Sequence, residues 1–540
     1  MPWRACCAGE LTGAPAALPV TLRVAGGWVR DKLLGRESND IDVALDTMLG
    51  REFADKVNAY LLSQGQAVSG VGVIHANPEQ SKHLETATMC VHGTWLDLVH
   101  LRSESYSEGS RIPESVSFGS PEQDALRRDL TFNALFYNLN TRTVEDCTRQ
   151  GLDDLRCGVA RTPQAPMQTL LDDPLRALRA VRLATRLAFT LADDLQAAAS
   201  TPELRVALGS KVSKERVGVE LEGMIKGPAP VSAIHLLCSL GMAPVVFALP
   251  DGVSSVAPPC WPWASLHSVD TLVQVLRAMQ PPAAHADAAS LWRSLSEEER
   301  RWAVLAGVCA PLRHVVVAAA VPGGGAAKKP GRPVSAVQHI VRESLKLRGR
   351  DAEQVARLLE SAHAFCRLAA QPEQPPSRAQ LGRLLRTAKA QWRVALAVAA
   401  ALRAPGALAL SSQGQVESPQ PLAALRDHYS TAHAAAAFAR DDAQHDATPP
   451  LPPPLADAAA PFQALALRCD ALQLDGVWDA KPLLTGLEVQ HALGIKAGPA
   501  LGPWLDALVS WELEHPGEGK EQALVWLAQA AKATAPPASA

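Results

Sequence analysis

The sequence predicts an α+β protein, with a mixed sheet and helices over residues 1–145 and helices alone from there to the end. Three observations predict it. Between residues 22 and 140, short runs of alternating apolar and polar residues are punctuated by glycine and polar turns, the pattern of half-buried strands. Beyond residue 146 the apolar residues recur at helical spacing in an alanine-, leucine- and arginine-rich background. Aromatics are few, at 5%, and alanine is abundant, which favours helix over most of the molecule. A chain of 540 residues, 47% of them hydrophobic, has room for several structural units, each with its own core.

The first strand, residues 22–24, stops at Gly26 and Gly27, two residues without a Cβ where backbone N–H groups can approach an anion closely. Residues 28–34 have helical spacing, so an anion held there would lie near a helix N-terminus with Arg30 beside it. Residues 40–45, Asp-Ile-Asp-Val-Ala-Leu, alternate in polarity. On a strand this sends Asp40 and Asp42 to one face and Ile41 and Val43 to the other. Their Cα atoms would then be roughly 6.6 Å apart, a spacing at which two carboxylates can share divalent metal. Taken singly, a glycine pair is most often a turn and Asp-x-Asp a solvated strand edge. Held together within seventeen residues, they supply what transfer of a nucleotide from its triphosphate requires.

A helix is expected over residues 51–64, then short strands near 71–75 and 86–91. Residues 94–102 read as a strand with Asp97 alone in an apolar run, a costly placement unless the carboxylate meets a cation. Residues 103–121, rich in Ser, Gly and Glu, read as a mobile loop, and residues 151–163 as a turn and connector. Between them Arg127-Arg128-Asp129 adjoins an apolar segment containing Asn133. Residues 171–186 form a well-marked helix, capped by Asp172 or Asp173, with Pro174 in its first turn and Leu175, Leu178, Val181 and Leu183 on its apolar face. Asp173 and Arg176, three apart, share a face, which spacing alone reads as a capping residue and an ion pair within the helix. From residue 250 to 475 helices are interrupted by two linker-like stretches, 321–333 and 441–461, with no internal repeat. Residues 515–520 look like part of a phosphate loop but lack its spacing and its final Ser or Thr, and read as a turn.

The net charge of −3 gives no overall signal for nucleic acid, so any such site must be a local patch. Residues 127–186 supply one, with ten arginines, seven acids and no lysine. The ten cysteines form no C-x-x-C pair and no cluster with histidine at ligand spacing, so neither zinc nor a disulfide framework is expected. No apolar run approaches the roughly 18 residues of a membrane span, and the first twenty residues have neither a signal-peptide core nor the composition of a transit peptide. The expectation is therefore a soluble intracellular protein with no membrane partner. Cytoplasm or nucleus is the default, with mitochondrion or plastid if the natural chain starts further upstream.

GGWVRDKLLG followed by DID closely resembles the signature of class II tRNA nucleotidyltransferases, the CCA-adding enzymes and their poly(A) polymerase relatives in the polymerase-β-like superfamily. Asp97, the run from Arg127 to Asp129 with Asn133-Ala134-Leu135, Asp172-Asp173 with Arg176, and Lys214-Glu215-Arg216 with Glu220 fall where that family has its further motifs. The likeness is dense over residues 22–227, faint through the middle, and returns over 484–527 in the form of the eukaryotic tail. It departs where Leu183 stands for the usual Phe, Ala497 for Pro, and where a helix usually precedes the first strand.

The resemblance implies a polymerase-β-like nucleotidyltransferase head at 1–145, an all-α neck at 146–250, a body at 251–475 carrying the tRNA elbow, and a tail at 476–540. It implies two Mg²⁺ ions held by Asp40 and Asp42, with Asp97 on the metal that activates the RNA 3′-OH, and CTP and ATP as substrates on tRNA. Gly26, Gly27 and Arg30 would hold the triphosphate, and Arg127 or Arg128 would meet phosphates or structural carboxylates. Asp129 and Asn133 would read the ribose, Arg179 and Arg182 would complete the nucleotide-binding set, and Glu215, Arg216 and Glu220 would brace the neck. Asp173 and Arg176 would choose the base. Cytosine and adenine both place an exocyclic amine beside an unprotonated ring nitrogen, so one Asp acceptor and one Arg donor accept C and A and reject U and G. Poly(A) polymerase, partial CC- or A-adding enzymes, and an inactive tRNA-binding relative share these motifs and stay open at this point. The oligomeric state is not readable.

Overall fold

Alternation builds the sheet that carries the first half of the chain. In β1 (Leu22–Ala25), β2 (Asp42–Leu45), β4 (Thr86–Val91) and β5 (Thr94–His100), every second side chain enters one apolar layer. Leu22, Val43, Leu45, Met89, Val91, Leu96 and Leu98 form it with Phe53, Ala54, Val57 and Leu61 of the helix Gly50–Ser63. In this computed structural model the described residues are 20–74, 86–106, 113–249, 253, 261–282, 285, 287–319, 331–370, 375–408, 426–429 and 450–532. Adding β3 (Gly72–Ile74), β8 (Phe136–Asn138) and β9 (Thr143–Glu145) gives seven strands in the order β3-β4-β5-β2-β1-β8-β9. All neighbours run antiparallel except β2 and β5, which are parallel. That one pairing puts Asp42 directly beside Asp97. The helix Gly50–Ser63 starts against β5 so closely that a Cβ at Gly50 would overlap the carbonyl of Leu98.

The expectation of a loop over residues 103–121 is corrected. The chain there forms β6 (Arg102–Tyr106) and β7 (Pro113–Phe118), an antiparallel pair in its own two-stranded sheet, with residues 107–112 outside the described set. A Ser-rich composition signals loop, but main-chain pairing needs no apolar side chain. Residues 151–163, expected to be irregular, contain the helix Gly151–Cys157 and a short strand Val159–Ala160 paired with Thr190–Leu191.

The helix expected over residues 171–186 is two helices, α1 (Pro166–Asp172) and α2 (Leu175–Leu187). Asp173 between them has extended backbone, φ −139° and ψ 101°. The ring of Pro174 excludes the helical region for the residue before it, which breaks the run there. On α2, Leu175, Leu178 and Val181 face the core, while Arg176, Arg179, Arg182 and Arg186 form a stripe at helical spacing. Behind α2 runs α3 (Lys214–Ile225), with Arg216 and Glu220 one turn apart on one face.

The chain divides into two compact units, Met1–Val246 and Phe247–Ala540. The second is built from helices, chief among them Trp261–Ala278, Glu297–Cys309, Gly349–Ala369, Trp392–Arg403 and Pro453–Ala471. Among its described residues it also holds one antiparallel pair, Val316–Ala319 with Gly331–Ser335, so the expected linker 321–333 ends in a strand and the body is not all-α. The expected linker 441–461 runs into the helix Pro453–Ala471, whose leading prolines occupy the first turn where no N–H is needed. Residues 321–330 and 441–449 lie outside the described residues, as do residues 1–19. Three helices, Gly486–Leu493, Leu501–Glu514 and Lys520–Lys532, close the chain around Leu484, Val489, Leu508, Trp511, Ala523 and Leu527. Among the described residues, no helix is long and apolar enough to cross a membrane.

Candidate active site

A cleft of about 600 Å³ opens in the first unit, lined by nine arginines and five aspartates with Gly26 and Gly27. Its floor is the sheet face opposite the apolar layer. Because Val43 and Leu45 point into that layer, Asp42 points out of it, and Leu96 and Leu98 do the same for Asp97. Asp40 joins them, and the three carboxylates place oxygens within 4.8 Å of one another. Asp97 is further fixed by Thr88, whose hydroxyl donates to Oδ1 at 2.7 Å, and belongs to this cluster without lining the cleft. Burial first, then the charges of Asp40 and Asp97, push the Asp42 carboxyl above its usual range, although Arg128 pulls the other way. Three carboxylates gathered in this way are suited to a cation, and oxygen donors are the set that hard divalent ions take.

Beside the cluster, Gly26 turns the chain out of β1 with φ 72°, a conformation that favours glycine, and its N–H donates to the Leu135 carbonyl at 3.1 Å. Gly27 then opens the helix Gly27–Leu33. Arg30 lines the cleft but is only 4% exposed. Its Nε and Nη2 donate to the two oxygens of Asp31 at 2.8 and 2.9 Å, and Nη1 donates to Asn133 Oδ1 at 2.6 Å. Arg186 approaches the same Asp31 at 3.7 Å.

Arg127 and Arg128 converge on one buried carboxylate, Asp124. Arg128 binds it through Nε at 3.0 Å and Nη2 at 2.8 Å, and Arg127 makes a second ion pair with it. Burial alone would push the Asp124 carboxyl up, but the two guanidiniums outweigh it and hold the group below its usual range. Asp129 behaves likewise. Burial opposes its ionisation, yet Arg179 Nε at 2.9 Å and Asn133 Nδ2 at 3.1 Å keep its carboxyl low. Glu220 accepts from Arg182 at 2.6 Å and lies 3.8 Å from Arg179, which ties α3 to the arginine stripe of α2.

Asp173 and Arg176 both line the cleft, but they do not form the ion pair that their spacing suggests. Asp173 accepts from Arg216 Nη2 at 2.7 Å and caps the Leu175 N–H at 3.2 Å. Arg176 donates to two main-chain carbonyls, Arg127 at 2.8 Å and Thr169 at 3.3 Å. Every residue singled out from the sequence for nucleotide binding thus lines this one cleft. Sequence reasoning missed Asp124 and Arg186, which line the cleft, and Asp31, which holds Arg30 from beside it, and took Arg216 as a brace of the neck although it reaches Asp173 in the cleft. Asp124 could have been found, since an acid three and four residues before two arginines at a helix C-terminus lies within their reach.

The family described as the Poly A polymerase head domain matches residues 22–161. The mitochondrial CCA tRNA nucleotidyltransferase of Saccharomyces cerevisiae is 38% identical over 395 residues, 70% of this chain and 71% of that protein. The tRNA nucleotidyltransferase cca2 of Schizosaccharomyces pombe is 32% identical over 514 residues, 94% of this chain and 92% of that protein. Among solved structures, the Bacillus stearothermophilus CCA-adding enzyme in complex with CTP aligns over 95% of this chain and 94% of its own with a TM-score of 0.55. At 20% identity that likeness is one of fold.

Proposed function

The chain belongs to the family of CCA tRNA nucleotidyltransferases, and from that premise we propose how this cleft adds C, C and A to the 3′ end of tRNA from CTP and ATP. The observation that carries the proposal is the gathering of Asp40, Asp42 and Asp97 at the foot of an arginine-lined cleft that also holds Asp173 and Arg176.

Asp40, Asp42 and Asp97 would hold Mg²⁺, two ions in all. Bound there, the metal supplies positive charge to the α-phosphate and favours ionisation of the attacking 3′-hydroxyl. The chain's own residues set the geometry. Gly26 and Gly27 leave room for the triphosphate beside the carboxylates, while the arginine stripe of α2 gives the opposite wall its positive potential. Asp129 has an acceptor site left for a ribose hydroxyl. Asp173, steadied by Arg216, accepts from the exocyclic amine of C or A, and Arg176 donates to the adjacent ring nitrogen. With its guanidinium anchored on two carbonyls, Arg176 need not be ordered when the base arrives, so little conformational entropy is lost on binding.

A tRNA transcript lacking its 3′ end, incubated with CTP and ATP singly and together, tests the reading. The expected products are two added C residues with CTP alone and CCA with both. A long A tail without use of C, or arrest after CC in the presence of ATP, would overturn it.

A further inference from the structure

The residues behind Asp129 form a buried relay that starts at Asp31, next to Arg30 in the helix Gly27–Leu33. Asp31 holds Arg30 through a two-pronged ion pair, with both side chains about 5% exposed. Arg30 Nη1 then meets the side-chain amide of Asn133 at 2.6 Å. A guanidinium can only donate, so the amide must turn its oxygen toward Arg30 and its NH₂ toward Asp129, where Nδ2 lies 3.1 Å from Oδ1. The reverse orientation would set NH₂ against guanidinium and carbonyl against carboxylate. The arginine therefore dictates which way the asparagine faces.

The acceptor sites of Asp129 are nearly filled. A carboxylate offers about four. Oδ1 accepts from Asn133 and from the Leu130 N–H at 2.9 Å, and Oδ2 accepts from Arg179 at 2.9 Å. One site remains, on Oδ2. The relay and Arg179 together leave Asp129 ionised, immobile, and able to accept one more hydrogen bond.

We infer that Arg30 is a positioning residue for the sugar pocket: anchored by Asp31, it sets the Asn133 amide so that Asp129 presents a single fixed acceptor to the ribose 2′-hydroxyl. The inference rests on the reading of Asp129 as the ribose-contacting group. It changes the expected role of Arg30, because three of its five N–H groups are already engaged by Asp31 and Asn133, which fix the guanidinium as part of the sugar pocket.

The test is single-turnover addition of the terminal A to a tRNA ending in CC, with ATP and with dATP, by the full-length chain. Arg30→Lys supplies the charge but cannot span both Asp31 and Asn133. Its ratio of kcat/KM for ATP over dATP should fall about tenfold, the value of one charge-assisted hydrogen bond in a buried site. A loss shared equally by ATP and dATP would mark Arg30 as a phosphate ligand and overturn the inference. Asn133→Asp, nearly the same shape, keeps the contact to Arg30 but turns an acceptor toward Asp129. It should lower the same ratio, and an unchanged ratio there would also overturn the inference, whatever the folding of the lysine variant. Asp129→Asn separates the two levels of argument. If it leaves the ATP-to-dATP ratio unchanged, the ribose reading itself fails, whereas if it lowers the ratio and the Arg30 and Asn133 variants do not, only the relay fails.

Discussion

The two ends of the cleft treat their carboxylates in opposite ways. At the sheet end, Asp40, Asp42 and Asp97 are pressed together, and burial and mutual repulsion raise the Asp42 carboxyl. At the helical end every acid has a resident guanidinium. Asp124 holds Arg127 and Arg128, Asp129 holds Arg179, Asp173 holds Arg216 and Glu220 holds Arg182, with Asp124 and Asp129 held below the usual range. The difference separates two tasks. Under the proposed function the first end would gather negative charge for a cation to balance; the second is balanced beforehand by its own guanidiniums, which would keep its remaining donors and acceptors in place to recognise a shape.

The largest effect that should expose this contrast comes from Asp42→Asn. Nucleotide addition should fall by about 10³-fold or more, the scale of losing one preorganised electrostatic group at the reacting centre. The metal-free protein should at the same time melt higher than the parent, because a mutually repelling charge has gone. Thermal unfolding in EDTA checks it, and a lower melting temperature would break the comparison. Asp124→Ala should do the reverse at the other end. It strands two guanidiniums that are about four-fifths buried, at a cost of about 2–3 kcal/mol. A melting temperature lower by roughly 5–10 °C would register that loss.

A smaller effect is expected from Arg216→Ala, which frees Asp173 to move. Preference for CTP and ATP over UTP and GTP should drop about tenfold, measured by single-nucleotide incorporation, while addition of the correct bases is affected less. The smallest is a pH effect. Asp124 and Asp129 titrate below their unfolded values, so their contribution is complete above the ordinary carboxylate pKa of about 3.9 and is lost as pH falls through the lowered values. Stability to urea should therefore be level from neutrality to about pH 4 on their account and decline below it. Asp129→Asn should flatten part of that decline.

The sheet end was legible in the sequence and the helical end only half so. Period-two alternation in residues 40–45 and around Asp97 fixes which face each carboxylate takes, and the structure pairs Asp42 with Asp97 in register. The arginine stripe on α2 is likewise a matter of local spacing. Which carboxylate meets which arginine is not. Arg216 is 43 residues from Asp173, Arg30 is 103 from Asn133, and neither spacing nor composition carries information over such distances. The start of α2 had a local signal in the capping Asp173 and in Pro174, whereas the short helix α1 before it was not read from the sequence. The strands β6 and β7 had none strong enough, because their serine content matched a loop and their pairing lies in the backbone.

Gly50 shows how far the site's demands extend through the chain. It does not line the cleft, yet its missing side chain lets a helix lie against the carbonyl of Leu98, one position past Asp97. In the language of heredity, a missense change at this glycine would be an allele of the active site written outside it. Its carriers would make an enzyme with every reactive group intact and one strand displaced, and the defect would deepen with temperature as the helix lost its seat.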